Sequence, residues 1–182
     1  MPEQNQTKSV RPRATKLLRR QHGATTLEFV LILPFFLLVV FMIIEFGLVF
    51  VAQELLDNAA RDGARLLRIG TLSGSSYSTA LTTAVCNDLT FTTVSLLPSC
   101  TATIQIYVAA APSGTPAGSG FLSLKTAAVT GTIMTQSSAA VSANYDVLMQ
   151  ISYPYPWQVP GLSLLTGTTL LTSTIAFQTE PY

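Results

Sequence analysis

An apolar segment near the N-terminus limits the possible folds of this chain more than any other feature. The 24 residues from Phe29 to Ala52 carry a single charge, Glu45. As an α-helix the segment is about 36 Å long, which exceeds the hydrocarbon core of a bilayer, about 30 Å. A cleaved signal peptide has a shorter apolar region, about 7 to 15 residues, that ends at a small-residue site. We therefore predict a retained membrane anchor.

The distribution of cations predicts the orientation of this anchor. Only one acid, Glu3, lies among the first 23 residues, and six cations lie there: Lys8, Arg11, Arg13, Lys16, Arg19 and Arg20. Three arginines follow the anchor, namely Arg61, Arg65 and Arg68. The positive-inside rule counts cations, and therefore favours a cytoplasmic N-terminus and an outer C-terminal domain. A nucleic-acid-binding arm is the less favoured interpretation of the basic leader, because the leader lies directly beside the anchor.

The composition after the anchor is typical of a secreted or surface-assembled subunit. The whole chain is 10% charged, compared with about 25% in ordinary soluble domains. From Gly70 to Tyr182 there are four charged residues: Asp88, Lys125, Asp146 and Glu180. This region is long enough for one modest core, so we predict three parts: a leader at 1–23, a transmembrane and extended helix at 24–69, and one outer domain at 70–182.

The two cysteines, Cys86 and Cys100, both lie in the predicted outer domain. In an oxidising compartment such a pair indicates a disulfide, which is worth about 3 kcal/mol for a loop of about 15 residues. Two free buried thiols are the alternative. A metal site is disfavoured, because two thiols do not supply four zinc ligands and the only histidine, His22, lies in the leader.

Residue periodicity predicts an α+β fold, in which the long N-terminal transmembrane helix continues into a small outer domain with an antiparallel sheet. Residues 1–18 of the leader are expected to be disordered, and Pro34 is expected to bend or melt one turn of the helix. The segments 112–120 and 153–157 read as loops. The predicted helices are Ala24–Arg68 and Tyr77–Leu89, and the predicted strands are Thr101–Ala109, Ala127–Thr135, Tyr145–Tyr153 and Leu170–Gln178.

Two acids in or beside the apolar segment need an explanation, because a carboxylate at the centre of a bilayer costs about 2.5 to 3.5 kcal/mol on insertion scales. Glu28 either lies at the headgroup level near the helix N-terminus or has a role in assembly. In the second case the chain is cleaved behind Gly23, and Glu28 faces the new amino group of Ala24 on a neighbouring subunit. Glu45 either lies at the outer interface or pairs with an arginine of a partner helix. The residues alone leave both questions open.

Catalytic chemistry is poorly represented in the sequence. The absence of a histidine from the outer region excludes Ser-His-Asp and Cys-His arrangements there. There is no phosphate-binding loop, and a carboxylate pair of Asp88 and Asp146 is a weak candidate. We therefore predict a protein that is not an enzyme, has no cofactor, and binds no metal or nucleic acid.

Three blocks of sequence resemble the TadE-like family. They are residues 23–34, which contain Gly23, Glu28 and Phe29; residues 44–47, which contain Glu45 and Gly47; and residues 58–65, which contain Arg61, Gly63 and Arg65. Members of this family are pseudopilins or minor pilins of the tight-adherence (Flp pilus) secretion system of bacteria. The resemblance covers about residues 20–68.

The resemblance implies a processing step and a set of partners. A prepilin peptidase would cut between Gly23 and Ala24, with Glu28 and Phe29 in the processing and assembly motif. The partners would be the bacterial inner membrane, that peptidase, other pilins or pseudopilins and Tad assembly proteins, with the outer domain periplasmic or surface-exposed. The alternative is an uncleaved single-pass membrane protein whose outer domain binds a partner or a glycan.

Overall fold

The computed structural model describes residues 14–74, 76–91, 94–95, 97–157, 167 and 169–182, with side-chain surroundings from Thr25 onward except at 90–91 and 94–95. Within this part of the chain, one long helix is followed by a small domain that contains a mostly antiparallel sheet. The predicted α+β class is confirmed. Two compact units are formed, Met1–Ile43 and Ile44–Tyr182, so nearly half of the long helix, from Ile44 to Arg68, belongs to the same unit as the sheet.

The long helix, α1, extends over Ala14–Arg68. It ends where predicted, next to Gly70, whose positive φ of 76° suits a glycine. It begins ten residues earlier than predicted, within the leader that we expected to be disordered, because 14–22 contains mainly good helix formers and no glycine or proline. Residues 1–13 lie outside the described part. Pro34 lies inside continuous helix, so the melted turn expected there is not present.

A second helix and a disulfide follow the turn at Gly70. Helix α2 covers Ser78–Asp88, as predicted, and the one-turn helix α3 covers Cys100–Thr103. Cys86 of α2 and Cys100 of α3 form a disulfide with a Cα–Cα distance of 5.7 Å. Between the two helices lies a short antiparallel pair, β1 at Thr90–Phe91 and β2 at Val94–Ser95, which the sequence analysis did not predict.

The main sheet has four strands in the order β6–β3–β7–β8. Strand β7 is central, and it is antiparallel to both β3 and β8. The short strand β6 is parallel to β3 and was not predicted. The bounds are Gln105–Pro112 for β3, Ser137–Ser138 for β6, Tyr145–Tyr155 for β7 and Thr169–Gln178 for β8.

One face of the sheet packs against α1 and α2. Because side chains alternate along a strand, odd-numbered residues of β7 enter this core and even-numbered residues point to the other face. The helices contribute mainly small or aliphatic side chains, and the fully buried residues of the core include Leu56, Ala60 and Leu67 of α1, Leu81 and Val85 of α2, and Val147, Met149 and Ile151 of β7. The C-terminal part of α1, from Ile44 onward, therefore forms one layer of the domain.

The other face of β7 is covered by the chain between β3 and β6. This chain contains a 3-10 helix at Ser119–Ser123 and a hairpin of β4, Val129–Thr130, and β5, Ile133–Met134. The cover uses polar contacts, because the main-chain N–H of Ala127 donates to the Gln150 side chain at 3.1 Å and the Gln105 amide donates to the Thr132 carbonyl at 2.9 Å. Both faces of the central strand are thereby buried.

Several predicted strand boundaries were wrong for local reasons. The first strand begins at Gln105 instead of Thr101, because Cys100–Thr103 forms the helical turn that carries the disulfide. The segment predicted as one strand around Ala127–Thr135 is a hairpin, in which Gly131 has a positive φ of 63°.

The segment at 153–157, predicted to be a loop, lies partly in a strand. Strand β7 continues through Pro154 to Tyr155, although proline lacks the N–H that a ladder needs. Strand β3 pairs with β7 only as far as Ser152, so Pro154 lies beyond the last β3 partner. A proline at this position costs no ladder hydrogen bond to β3, because β3 does not extend that far along β7.

Two glycines of α1 provide a test of helix packing in this unit. A Cβ on Gly63 would lie 3.1 Å from both Leu81 and Val85 of α2, whereas nothing lies within 4 Å of a Cβ on Gly47. Valine should therefore destabilise the chain more at Gly63 than at Gly47, by about 1–3 kcal/mol, because overpacking occurs at only one of the two sites. Urea unfolding in detergent micelles, followed by circular dichroism, measures the difference. Equal effects would contradict the close contact of α1 and α2.

Candidate functional site

The predicted processing and assembly residues lie in α1, and the two whose surroundings are described, Glu28 and Phe29, are exposed. Gly23 and Ala24 are within the helix, and nothing is described of their side-chain surroundings. Glu28 is exposed, and the neighbouring Phe29 is 62% exposed. The structure thus leaves this carboxylate accessible to a protease or a neighbouring helix. The roles of these four residues remain predictions.

Large apolar side chains continue along this helix beyond Glu28. Most of those from Leu27 to Val51 are exposed, including Phe35, Phe36, Phe41 and Phe50. Among the described residues, α1 is the one helix long and apolar enough to span a membrane, judged by length and composition. The best 18-residue window has a mean hydropathy of 3.0 and no buried residue. The chain is therefore consistent with a single-pass membrane protein.

Glu45 differs from the apolar residues around it, because its side chain is only 2% exposed. It lies in the unit Ile44–Tyr182, where its carboxylate hydrogen-bonds with Tyr155, near the end of β7. Burial of a carboxylate is costly unless hydrogen bonds compensate it, and the tyrosine hydroxyl supplies such a bond. The domain itself therefore supplies a hydrogen-bond partner for Glu45, and pairing of Glu45 with an arginine of a partner helix stays a prediction.

Aromatic ring contacts connect Tyr155 with helix α1 through Trp157. Trp157 makes edge-to-face contacts with Phe46 of α1, at a centroid distance of 6.0 Å, and with Tyr155, at 5.6 Å. We call Phe46, Tyr155 and Trp157 the aromatic corner. Edge-to-face pairs at these distances are favourable beyond the area that they bury. The sequence analysis found Glu45 but missed Tyr155, because their 110-residue separation hides a contact that only strand pairing creates.

The remaining motif residues divide into a packing position and surface positions. Gly63 is buried against α2, which explains why a larger residue is disfavoured there. Arg61 and Arg65 are exposed. Arg65 lines a groove of about 550 Å³ together with Asp62 and Asp88. Burial, and secondly the charge of Asp62, raise the pKa of Asp88.

The two acids considered as a weak catalytic pair occupy different surroundings. Asp88 lies at the end of α2 in that groove, whereas Asp146 is fully buried in β7. A Cβ on Gly120 would lie 2.7 Å from the Asp146 carboxylate, so glycine is required for the 3-10 helix to cover it. Within the described residues, neither carboxylate oxygen of Asp146 has a hydrogen-bond partner. Each acid therefore faces a different neighbour, Asp62 or Gly120, and no shared site is formed by the contacts described.

Comparison with known proteins supports the interpretation of the N-terminal region. Residues 23–65 match the family model described as TadE-like protein, which confirms the resemblance seen in the sequence. The match begins at Gly23 and includes Glu28, Glu45 and Gly63. It suggests a component related to the Tad pilus, with membrane association and pilus components as partners. No curated protein and no solved structure matches the chain.

The contact of Glu45 with Tyr155 predicts a thermodynamic coupling. Substitution Tyr155→Phe should lower the free energy of unfolding by about 1–3 kcal/mol, because it leaves a buried carboxylate without its hydroxyl partner. The effect should be much smaller in the Glu45→Gln background. Urea unfolding of the four chains in micelles completes the double-mutant cycle. Tyr145→Phe, on the same strand, is the control, and additive effects of the two substitutions would exclude the coupling.

Two tyrosines predict instability at alkaline pH. Burial, followed by the charge and hydrogen bond of Glu45 and the charge of Tyr153, raises the pKa of Tyr155 from 10.0 to about 12. Burial raises the pKa of Tyr77 from 10.0 to about 12. The unfolded chain loses these protons first as the pH rises, so their contribution to stability is complete below pH 10.0 and is lost towards about pH 12.

Near-UV absorbance of tyrosinate and circular dichroism, recorded together over this range, test the alkaline prediction. Ionisation of the buried tyrosines should coincide with unfolding. The double variant Tyr77→Phe/Tyr155→Phe should lose less of its stability across the same range. Ionisation of every tyrosine near its ordinary pKa in a chain that remains folded would contradict it.

Proposed function

We propose that this chain is a non-enzymatic, pseudopilin-like component of a Tad pilus assembly or secretion apparatus. It is inserted in the membrane by α1, and a prepilin peptidase processes it between Gly23 and Ala24. The observation that carries the proposal is the TadE-like match over residues 23–65. That match begins at the glycine that the cleavage hypothesis requires.

The exposure of α1 supports membrane insertion. Glu28 is followed by a surface of large apolar side chains, and water solvates such a surface poorly. Six cations precede this surface, which favours a cytoplasmic leader and an outer C-terminal domain. The inner membrane is the location that the family resemblance implies.

Charge pairing within a helical assembly supports a role for Glu28. Cleavage after Gly23 would create a positive amino group on Ala24, four residues before this exposed carboxylate. In a medium of low dielectric constant, an unpaired charge is costly and an opposite charge nearby is strongly attractive. The Glu28 carboxylate of one subunit would therefore pair with the amino group of the next and set the register of assembly.

The outer domain supports a structural role. The four charged residues from Gly70 to Tyr182 give it little charge to keep neighbouring copies apart. Among the described residues, no group of three or more histidines, cysteines, aspartates or glutamates could hold a metal ion. We therefore propose that this domain contacts other subunits instead of transforming a substrate.

Intact mass and N-terminal sequencing test the processing step. The protein extracted from membranes should begin at Ala24 when the candidate peptidase is present and at Met1 when it is absent. Gly23→Val should block cleavage, because a branched side chain at the cleavage position hinders entry into the protease cleft. Gly47→Val, a substitution of the same kind further along the helix, should leave cleavage intact.

A second pair of variants separates processing from assembly. Glu28→Gln should reduce incorporation into the assembled apparatus, whereas Glu54→Gln, at an exposed position of the same helix, should not. A start at Met1 with and without the peptidase would overturn the processing claim. It would favour the uncleaved membrane protein with a partner- or glycan-binding outer domain.

A further inference from the structure

The unit Ile44–Tyr182 carries an apolar surface that none of its described residues covers. From Ile44 to Val51, one side of α1 contacts the domain through Glu45 and Val49, and the other side is exposed. Phe50 is 72% exposed and Val51 is 47% exposed. The first exposed polar or charged residue beyond this stretch is Glu54.

The aromatic corner lies beside the same stretch of helix. Trp157 contacts Phe46 directly, and Tyr155 contacts both Trp157 and Glu45. No charged residue occurs in the sequence between Asp146 and Glu180, so the end of the sheet near Tyr155 contains no charge that would oppose burial in lipid. Tryptophan and tyrosine are enriched at the boundary between lipid and water.

Helix length places this corner at the level of that boundary. Glu54 is nine positions after Glu45 in the sequence, so the two residues are about 13 Å apart along the helix axis. A helix whose exposed side is apolar up to Val51 keeps that side in lipid. The domain begins to contact α1 at Glu45, within this apolar stretch.

We propose that Phe46 and Trp157 of the aromatic corner, together with Phe50 and Val51, form a membrane-contacting surface whose partner is the lipid bilayer, with the buried Tyr155 behind them. It lies at the boundary of headgroups and acyl chains in the leaflet on the side of the domain. The inference rests on the proposed function only in requiring that α1 is inserted. It explains the burial of Glu45, because the corner separates this carboxylate from lipid and Tyr155 supplies its hydrogen bond.

The single tryptophan of the chain, Trp157, makes the contact measurable. The full-length protein is reconstituted in phosphatidylcholine–phosphatidylglycerol vesicles whose acyl chains carry bromine either near the headgroup or near the chain end. An interfacial apolar surface lies about 5–10 Å into the headgroup and acyl boundary. We expect a blue-shifted emission and stronger quenching by bromine near the headgroup than by bromine near the chain end.

A matched control moves the fluorophore to the other end of the domain. In the double variant W157F/Y182W, the only tryptophan lies at position 182, where the native Tyr182 is 53% exposed and packs against Gly70. Its emission should be insensitive to both brominated lipids. Circular dichroism and retention of the disulfide verify that the variant is folded, and the wild-type measurement is decisive without it.

Extraction of the same vesicles with alkaline carbonate separates the insertion of α1 from the contact of the proposed surface with lipid. Protein that remains in the vesicles while Trp157 is not quenched would overturn the membrane-contacting surface and leave the inserted anchor standing. Protein released by carbonate would overturn insertion, and with it both claims. Retention combined with preferential quenching near the headgroup supports the surface.

Discussion

Helix α1 has to satisfy two different environments, and the rest of the structure depends on how it does so. From Leu27 to Val51 it presents large apolar side chains outward, whereas from Glu45 to Leu67 one of its sides is the core of a folded domain. The residues on that side are mostly small, such as Ala52, Ala59 and Ala60. Small side chains allow the helix and the sheet to approach closely, and Gly63 allows the same for α2.

The overlap of these two environments explains why a carboxylate is tolerated at position 45. A carboxylate within an apolar helix would be expensive if lipid surrounded it, but the same helix turn is already covered by β7. Tyr155 supplies the hydrogen bond, and Trp157 and Phe46 close the corner. Glu45 therefore links the apolar helix α1 to the fold of the C-terminal domain.

The C-terminal domain is stabilised largely without charge. Its described interior uses a disulfide between α2 and α3, the burial of β7 on both faces, and polar contacts to amides such as Gln105 and Gln150. An ion pair of Arg68 with Glu180, at 3.3 Å, is exposed and contributes little. A domain of this kind loses little by contacting other uncharged surfaces, which suits a subunit of a larger assembly.

The sequence by itself determined the features that depend on local composition and periodicity. The apolar helix and its end at Arg68, helix α2, the strands at 145 and 170, the Cys86–Cys100 pair and the TadE-like motif were all readable from it, because each depends on neighbouring residues or on counts. The tertiary structure alone decided which residues meet. Tyr155 hydrogen-bonds with Glu45, and Asp146 lies beneath Gly120. Pro154 fits in β7 because the pairing of β7 with β3 stops at Ser152. Strand pairing and helix packing bring these distant positions together, and no local pattern records such long-range contacts.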